Sequence, residues 1–259
     1  MRSLPIPRWR RSNPPLDALI IAAGFGSRLA SLSPSKPLIP VFGVPLIEIG
    51  IRQFAAVGVT RVVVATGHVA ARLEGFLAEL SARLGIVIEP ARVDDWSRPN
   101  GHSVMAGAER IAGDYLLLMA DHMFEADILA RLRGEGGADR GVTLAIDHRI
   151  DSPLVDPDDA TWVRLSEGSR IAAIGKTIAP YDAVDCGAFL ATPELADAIR
   201  AAIAVGAAGS LSEGMQRLAD AGRAATLDVG EAWWLDVDDP RAHAMAEAQA
   251  PTNIPWLQA

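Results

Sequence analysis

Apolar residues in this chain fall into two alternating kinds of run. Short stretches, nearly unbroken and rich in β-branched or aliphatic residues, recur at Leu19–Ala23, Arg61–Thr66, Ile86–Ile88, Tyr115–Met119, Val142–Ile146, Thr161–Leu165, Val184–Leu190 and Ala224–Val229. Between the early ones, apolar side chains return every three or four positions: Leu46, Ile47, Ile51 and Phe54, then Val69, Leu73, Phe76, Leu77 and Leu80, then Met105, Ala108 and Ile111. The first pattern predicts strands buried on both faces and the second predicts amphipathic helices. Their alternation predicts an α/β fold, Rossmann-like, with helices on both faces of a mixed, mostly parallel central sheet. From about Val142 the helical spacing gives way to strands, with Glu167-Gly168 as a turn between Thr161–Leu165 and Arg170–Ile174. A small strand-rich subdomain over about 147–190 is therefore expected. The alanine-rich segment Arg200–Gly209 is expected to be helical.

Composition narrows this picture. With 259 residues, 50% hydrophobic and 22% charged, the chain has the profile of a globular protein able to bury a large core without metal or disulfide staples. One domain is expected over 17–250, with residues 251–259 as a tail. The first 16 residues carry four arginines and four prolines without apolar periodicity, which predicts a mobile arm. The arginines at 8, 10 and 11 do not start an export signal, because the apolar stretch Leu19–Ala23 that follows is too short. No run of about 18 apolar residues occurs, so no membrane span is expected. The single cysteine, Cys186, excludes an intrachain disulfide and reads as a small buried hydrophobe in a reducing compartment. A cytoplasmic location follows as the expectation. The net charge of −8 argues against nucleic acid as a partner. Among 24 basic residues only Lys36 and Lys176 are lysines. In a chain that otherwise uses arginine, each marks a place where a compact ammonium is needed.

Candidate chemistry begins at the end of the first predicted strand. Leu19-Ile20-Ile21-Ala22-Ala23-Gly24-Phe25-Gly26-Ser27-Arg28-Leu29 runs a buried strand into a glycine turn. Such a turn lets the backbone approach a phosphate or a base, and successive N–H groups form an anion-binding nest. A dinucleotide fingerprint is excluded, because Leu29 stands where its third glycine belongs, and no Walker A lysine follows. Instead Ser35-Lys36-Pro37-Leu38 and Gly43-Val44-Pro45-Leu46 come next. Tyr115–Met119 delivers Asp121 at the carboxyl edge of the sheet, where ligands bind in open α/β folds. Trp233-Trp234-Leu235-Asp236-Val237-Asp238 delivers two carboxylates two residues apart, on one side of an extended segment. Asp121 and Asp236 are the hard oxygen donors that Mg²⁺ requires.

Taken together, LIIAAGFGSRL and SKPLIPVFGVPLI resemble the signature of the nucleotidyltransferases that activate sugar phosphates and related alcohol phosphates. The acceptor-side segments Asp156-Pro157-Asp158-Asp159-Ala160-Thr161-Trp162-Val163, Ile174-Gly175-Lys176 and Tyr181–Phe189 are similar to the CTP:inositol-1-phosphate cytidylyltransferases. The resemblance covers about residues 17–245. It implies that Ala22, Ala23, Gly24 and Gly26 wrap the nucleotide, and that Asn100, Gly101 and Ser103 form a second nucleotide-contacting loop. It also implies that Arg28 and Lys36 neutralise the triphosphate, that Asp121, Asp236 and Asp238 hold Mg²⁺, and that Lys176, Asp185 and Gly187 bind the acceptor. CTP and a phosphorylated polyol are the implied substrates. In that family the domain is often fused to a membrane-embedded CDP-alcohol phosphotransferase, so a chain of this length implies a cytidylyltransferase that supplies a separate phosphotransferase. Trp162, where a basic residue is usual, and Cys186, where a threonine is usual, depart from the family pattern on the acceptor side.

The alternatives differ in class. The same chemistry with a hexose 1-phosphate, phosphocholine or another nucleoside triphosphate is one, and a nucleotide-binding regulator without turnover is another. His68 reads as a structural histidine and His122 as a neighbour orienting the metal aspartate. Trp233 and Trp234 read as packing for the strand that presents Asp236. No His and Cys spacing suits zinc.

Overall fold

The computed structural model describes residues 16–135 and 139–258. The arm expected over 1–16 thus lies, except for Leu16, outside the described residues. In chain order the strands are β1 (Asp17–Ala22), β2 (Pro40–Val41), β3 (Val44–Pro45), β4 (Arg61–Thr66), β5 (Val87–Arg92), β6 (Tyr115–Met119), β7 (His122–Phe124), β8 (Val142–Asp147), β9 (Trp162–Ser166), β10 (Arg170–Gly175), β11 (Ala183–Ala191), β12 (Ala224–Asp228) and β13 (Trp234–Asp236). The helices are α1 (Leu46–Ala56), α2 (Ala70–Leu84), α3 (Gly101–Ala108), α4 (Ala126–Gly134), α5 (Glu194–Ala204), α6 (Leu211–Asp220) and α7 (Pro240–Asn253).

Nine strands form one sheet in the order β5-β4-β1-β6-β11-β8-β12-β10-β9. The first four are mutually parallel, and the continuous apolar sequences of β1, β4 and β6 suit that arrangement. Strand β11 then enters antiparallel to both β6 and β8. The strand-rich acceptor segment grows out of this same sheet, and β9 also pairs with β11, so that end of the sheet curls back on itself. Two apolar layers cover the two faces. Ile47, Ile51 and Phe54 of α1 with Leu73, Leu77 and Leu80 of α2 fill one. Val104 of α3, Ile199 of α5 and Met215 of α6 fill the other.

Four boundaries differ from the sequence-based expectation, each for a physical reason. Strand β5 extends past Ile88 through Pro90 to Arg92, because as an edge strand it tolerates a residue without an N–H. Val69 does not join α2: it caps that helix in the left-handed region at φ 45°. The helix expected over Arg200–Gly209 is the end of α5 and stops at Ala204, since Gly206 (φ 97°) and Gly209 (φ 90°) turn the backbone out of helical geometry. Residues 251–258 pack against the body: α7 runs to Asn253, and Ile254 and Leu257 are buried with Leu29, Ile39 and Val41.

Candidate active site

The side of the site expected to take the nucleotide is made at the carboxyl end of β1. Ala22, Ala23, Gly24 and Gly26, together with Lys36, Pro37, Asn100, Asp121 and Asp238, line a cavity of about 240 Å³. A Cβ on Gly24 would meet nothing within 4 Å, so its backbone faces open space. Gly26 has φ +62°, and a Cβ there would lie 2.6 Å from Cβ of Lys36. The glycine therefore permits both the turn and the approach of the lysine. Lys36 is 9% exposed. Its Nζ donates to Oδ2 of Asp121 at 2.6 Å and to Oδ1 of Asp238. Arg28, in the short turn Ser27–Leu29, donates from Nη2 to Oδ2 of Asp159 at 2.6 Å and to Oδ2 of Asp238.

The carboxylates come from a small antiparallel pair, β7 with β13, in which His122 stands opposite Asp236. The N–H of Val237 donates to the carbonyl of Asp121 at 3.0 Å, so the two acidic segments are stitched together directly. Trp234 of β13 and Trp233 just before it are anchored as well as buried. Trp234 Nε1 donates to Asp147 at 2.7 Å, and Trp233 Nε1 donates to Gln249 of α7 at 2.8 Å. Asp147 is itself held by the guanidinium of Arg149 at 2.9 Å. This buried network fixes the strand that carries Asp236.

The ligand atoms of Asp121, His122 and Asp236 lie within 4.8 Å of one another, and so do those of Asp159, Asp236 and Asp238. Burial alone would raise the Asp121 carboxyl, but the Lys36 ammonium and His122 outweigh it and hold it well below the usual carboxylate range. Burial and the neighbouring Asp121 push Asp236 the other way, upward, with His122 opposing. His122 would be lowered by burial, yet Asp236 and its 2.7 Å hydrogen bond to Asp121 bring it up to about 9. One oxygen of Asp236, Oδ1, is buried and accepts no hydrogen bond. Its nearest cationic neighbour is His122 Nδ1 at 3.6 Å, and a buried carboxylate oxygen without a hydrogen bond in an acidic cluster is a donor suited to a hard divalent cation.

On the side expected to take the acceptor, a second cleft of about 210 Å³ is lined by Asp121, Asp159, Lys176, Asp185, Gly187 and Asp236, among others. Lys176 follows β10, and its Nζ donates to Oδ1 of Asp159. Asp185 accepts from the N–H of Gly187 at 2.7 Å within an irregularity of β11, where the register to β8 shifts. Burial raises Asp185 to about 6. Gly187 has φ +75°, and a Cβ there would lie 2.4 Å from the His122 ring, so only glycine allows the two strands this approach.

The structure thus brings together Arg28, Lys36, Asp121, Lys176, Asp185, Gly187, Asp236 and Asp238. Asn100 lines both clefts, and its Oδ1 accepts from the N–H of Leu211 at the start of α6 at 2.9 Å. Gly101 and Ser103 line neither cleft. The Cα of Gly101 faces α5 and α6, where a Cβ would come within 2.3 Å of the Gly209 carbonyl, so this glycine is required by close packing. Asp159 was not singled out by sequence reasoning, although it holds two of the predicted cations. Within Asp156-Pro157-Asp158-Asp159 nothing local separates it from its acidic neighbours. His68 sits edge-on between Phe25 and Trp96, at 4.6 and 4.9 Å, and its N–H donates to the Ala23 carbonyl at 2.9 Å. It braces the glycine turn from behind.

The MobA-like NTP transferase domain matches residues 18–217, a span that contains the glycine turn, Lys36, Asp121 and the acceptor segment. The chain belongs to this family. It is 33% identical to the bifunctional IPC transferase and DIPP synthase of Rubrobacter xylanophilus over 236 residues, which are 90% of this chain and 51% of that protein. The Thermococcus kodakarensis protein of the same name is 30% identical over 87% of this chain and 48% of its own length. The nucleotidyltransferase chain therefore spans about half the length of these curated relatives. Among solved structures, the inositol-1-phosphate CTP transferase from T. maritima superposes with a TM-score of 0.77 at 24% identity, over 92% of this chain and 96% of that one. A UDP-glucose pyrophosphorylase complexed with UDP-glucose superposes with a TM-score of 0.76 at 15% identity, over 92% and 99%. The nucleotidyltransferase fold is common to both.

Proposed function

We propose that this nucleotidyltransferase joins CTP to inositol 1-phosphate, giving CDP-inositol and pyrophosphate. The observation that carries the reading is the meeting of Arg28 and Lys36, next to the glycine turn, with Lys176, from the acceptor strands, on carboxylates of one continuous site. The acceptor-side sequence and the names of the relatives support the choice of substrates.

The chemistry follows from charge. A phosphate monoester has a second pKa near 6, so the acceptor oxygen is already anionic at neutral pH and needs no general base. That oxygen forms a bond to the α-phosphorus of CTP as the bond to the bridging oxygen of pyrophosphate breaks in line. Arg28 and Lys36 bind the triphosphate and Lys176 the acceptor phosphate, which brings two polyanions together in reacting geometry. Asp185 accepts hydrogen bonds from acceptor hydroxyls. Asp121 and Asp236, with Asp238 beside them, would hold Mg²⁺, which supplies charge neutralisation at the α-phosphate. His122 fixes the Asp121 carboxylate. Among the described residues no helix is long and apolar enough to cross a membrane. A product passed on to a CDP-alcohol phosphotransferase fits the reading.

Pyrophosphate release from each of the four nucleoside triphosphates, paired with inositol 1-phosphate, a hexose 1-phosphate and phosphocholine, tests it. The expected outcome is fastest release from CTP with inositol 1-phosphate. Faster release from another pair would overturn the substrate assignment, and no release from any pair would overturn catalysis itself.

A further inference from the structure

Asp159 lies between β8 and β9, in a turn closed by its own N–H and that of Ala160 on the Asp156 carbonyl, at 3.2 and 2.9 Å. The following residue, Thr161, accepts from the N–H of Asp185 at 2.9 Å, so the turn is tied to the acceptor strand. The two oxygens of Asp159 hold different cations: Oδ2 takes Nη2 of Arg28 at 2.6 Å, and Oδ1 takes Nζ of Lys176. These cations come from opposite ends of the site, one from the nucleotide turn and one from the end of β10.

We propose that Asp159 is a positioning residue that sets the nucleotide-side arginine and the acceptor-side lysine from a single carboxylate. The inference rests on the substrate roles given above to Arg28 and Lys176.

Donor counting supports it. A lysine ammonium has three N–H donors and Asp159 engages one, while the arginine fork has five and its Nη2 alone meets Asp159 and Asp238. Each cation keeps donors for a phosphate while its long side chain is held in place. The Arg28 and Lys176 side chains are 45% and 59% exposed, so packing does not fix them. Without an anchor each loses its full rotamer freedom on meeting a phosphate. Burial opposes ionisation of Asp159, but Lys176 and Arg28 outweigh it and hold the carboxyl below its ordinary value, so it remains a charged anchor at neutral pH.

A double-mutant cycle tests the proposal. Asp159→Asn keeps the shape and removes the charge. The expected result is an acceptor KM raised about three- to fivefold and a nucleotide Kd, measured by calorimetry, raised by a similar factor, the scale of a part-exposed ion pair, with kcat nearly unchanged. In a Lys176→Ala background the effect on acceptor KM vanishes, and in an Arg28→Ala background the effect on nucleotide Kd vanishes. Equal effects in parent and variant backgrounds, or tighter binding of either substrate by Asp159→Asn, would overturn it. Should the Asn variant melt abnormally, Asp159→Ser is run through the same cycle. If the parent chain is inert with CTP and inositol 1-phosphate, the substrate assignment fails, and the cycle is measured with whichever pair releases pyrophosphate.

Discussion

The two sides of the site hold their cations in different ways. Lys36, on the nucleotide side, has a side chain only 10% exposed and is clasped between Asp121 and Asp238. Lys176, on the acceptor side, is 59% exposed and among the described residues rests on Asp159 alone. The wall expected to take the nucleotide includes the glycine turn, whereas the wall expected to take the acceptor is side chains from a turn, two strand ends and a strand irregularity. A buried, doubly held charge is fixed by the fold. An exposed, singly held one adjusts to its ligand, and the consequences of altering each differ accordingly.

The largest effect is expected at the carboxylates assigned to the metal. Asp121→Ala or Asp236→Ala should lower turnover by about a hundredfold or more, the usual loss for a preorganised electrostatic element at a reacting phosphate, with circular dichroism unchanged. A variant that keeps about a tenth of parental activity or more would break the assignment. Next, Lys36→Ala and Arg28→Ala should each lower kcat/KM for CTP by at least about tenfold, or about 1.4 kcal/mol. If Arg28→Ala proves the milder, the contrast between clasped and exposed cations is sharpened.

On the acceptor side, Lys176→Ala should raise the KM for inositol 1-phosphate several times more than that for CTP. Arginine at that position should restore only part of the loss, since a planar fork does not replace a point charge. Phosphocholine, lacking hydroxyls for Asp185, should be a poor acceptor, and efficient turnover of it would remove the role given to Asp185.

The smallest effect is on stability. Because His122 is raised to about 9 in the folded chain, its contribution is fully present below the ordinary histidine value near 6.5 and is lost as pH rises through about 9. Melting temperature measured without divalent cations should therefore fall between pH 7 and 10, and His122→Phe should flatten that decline. A parental decline matched by the variant would assign the loss to other groups.

Local pattern made the parallel half of the sheet legible, because β1, β4 and β6 are buried on both faces and read as unbroken apolar runs. It made the glycine turn and Asp121 legible too, since they lie close to strand ends that sequence alone marks, while Lys36 stood out by the Ser35-Lys36-Pro37 motif and the scarcity of lysine. The short strands β2, β3 and β7 were not readable, as two or three residues carry no periodicity. The pairing of β7 with β13 joins residues more than a hundred positions apart, and only that pairing sets His122 against Asp236. Asp159 was invisible for the same reason: its importance is defined by two cations that reach it from distant segments. Gly101 shows a limit of local pattern, because a glycine at the start of a helix serves close packing as well as ligand approach, and the difference lies in what faces its Cα.

The packing of the C-terminal residues also bears on the order in which the molecule is made. Leu29, Ile39 and Val41, just beyond the glycine turn, share one apolar cluster with Ile254 and Leu257. At 5–20 residues per second, a ribosome needs on the order of 10–45 s to travel between the two ends of that cluster. The glycine turn is thus translated well before the residues that close the apolar cluster behind it.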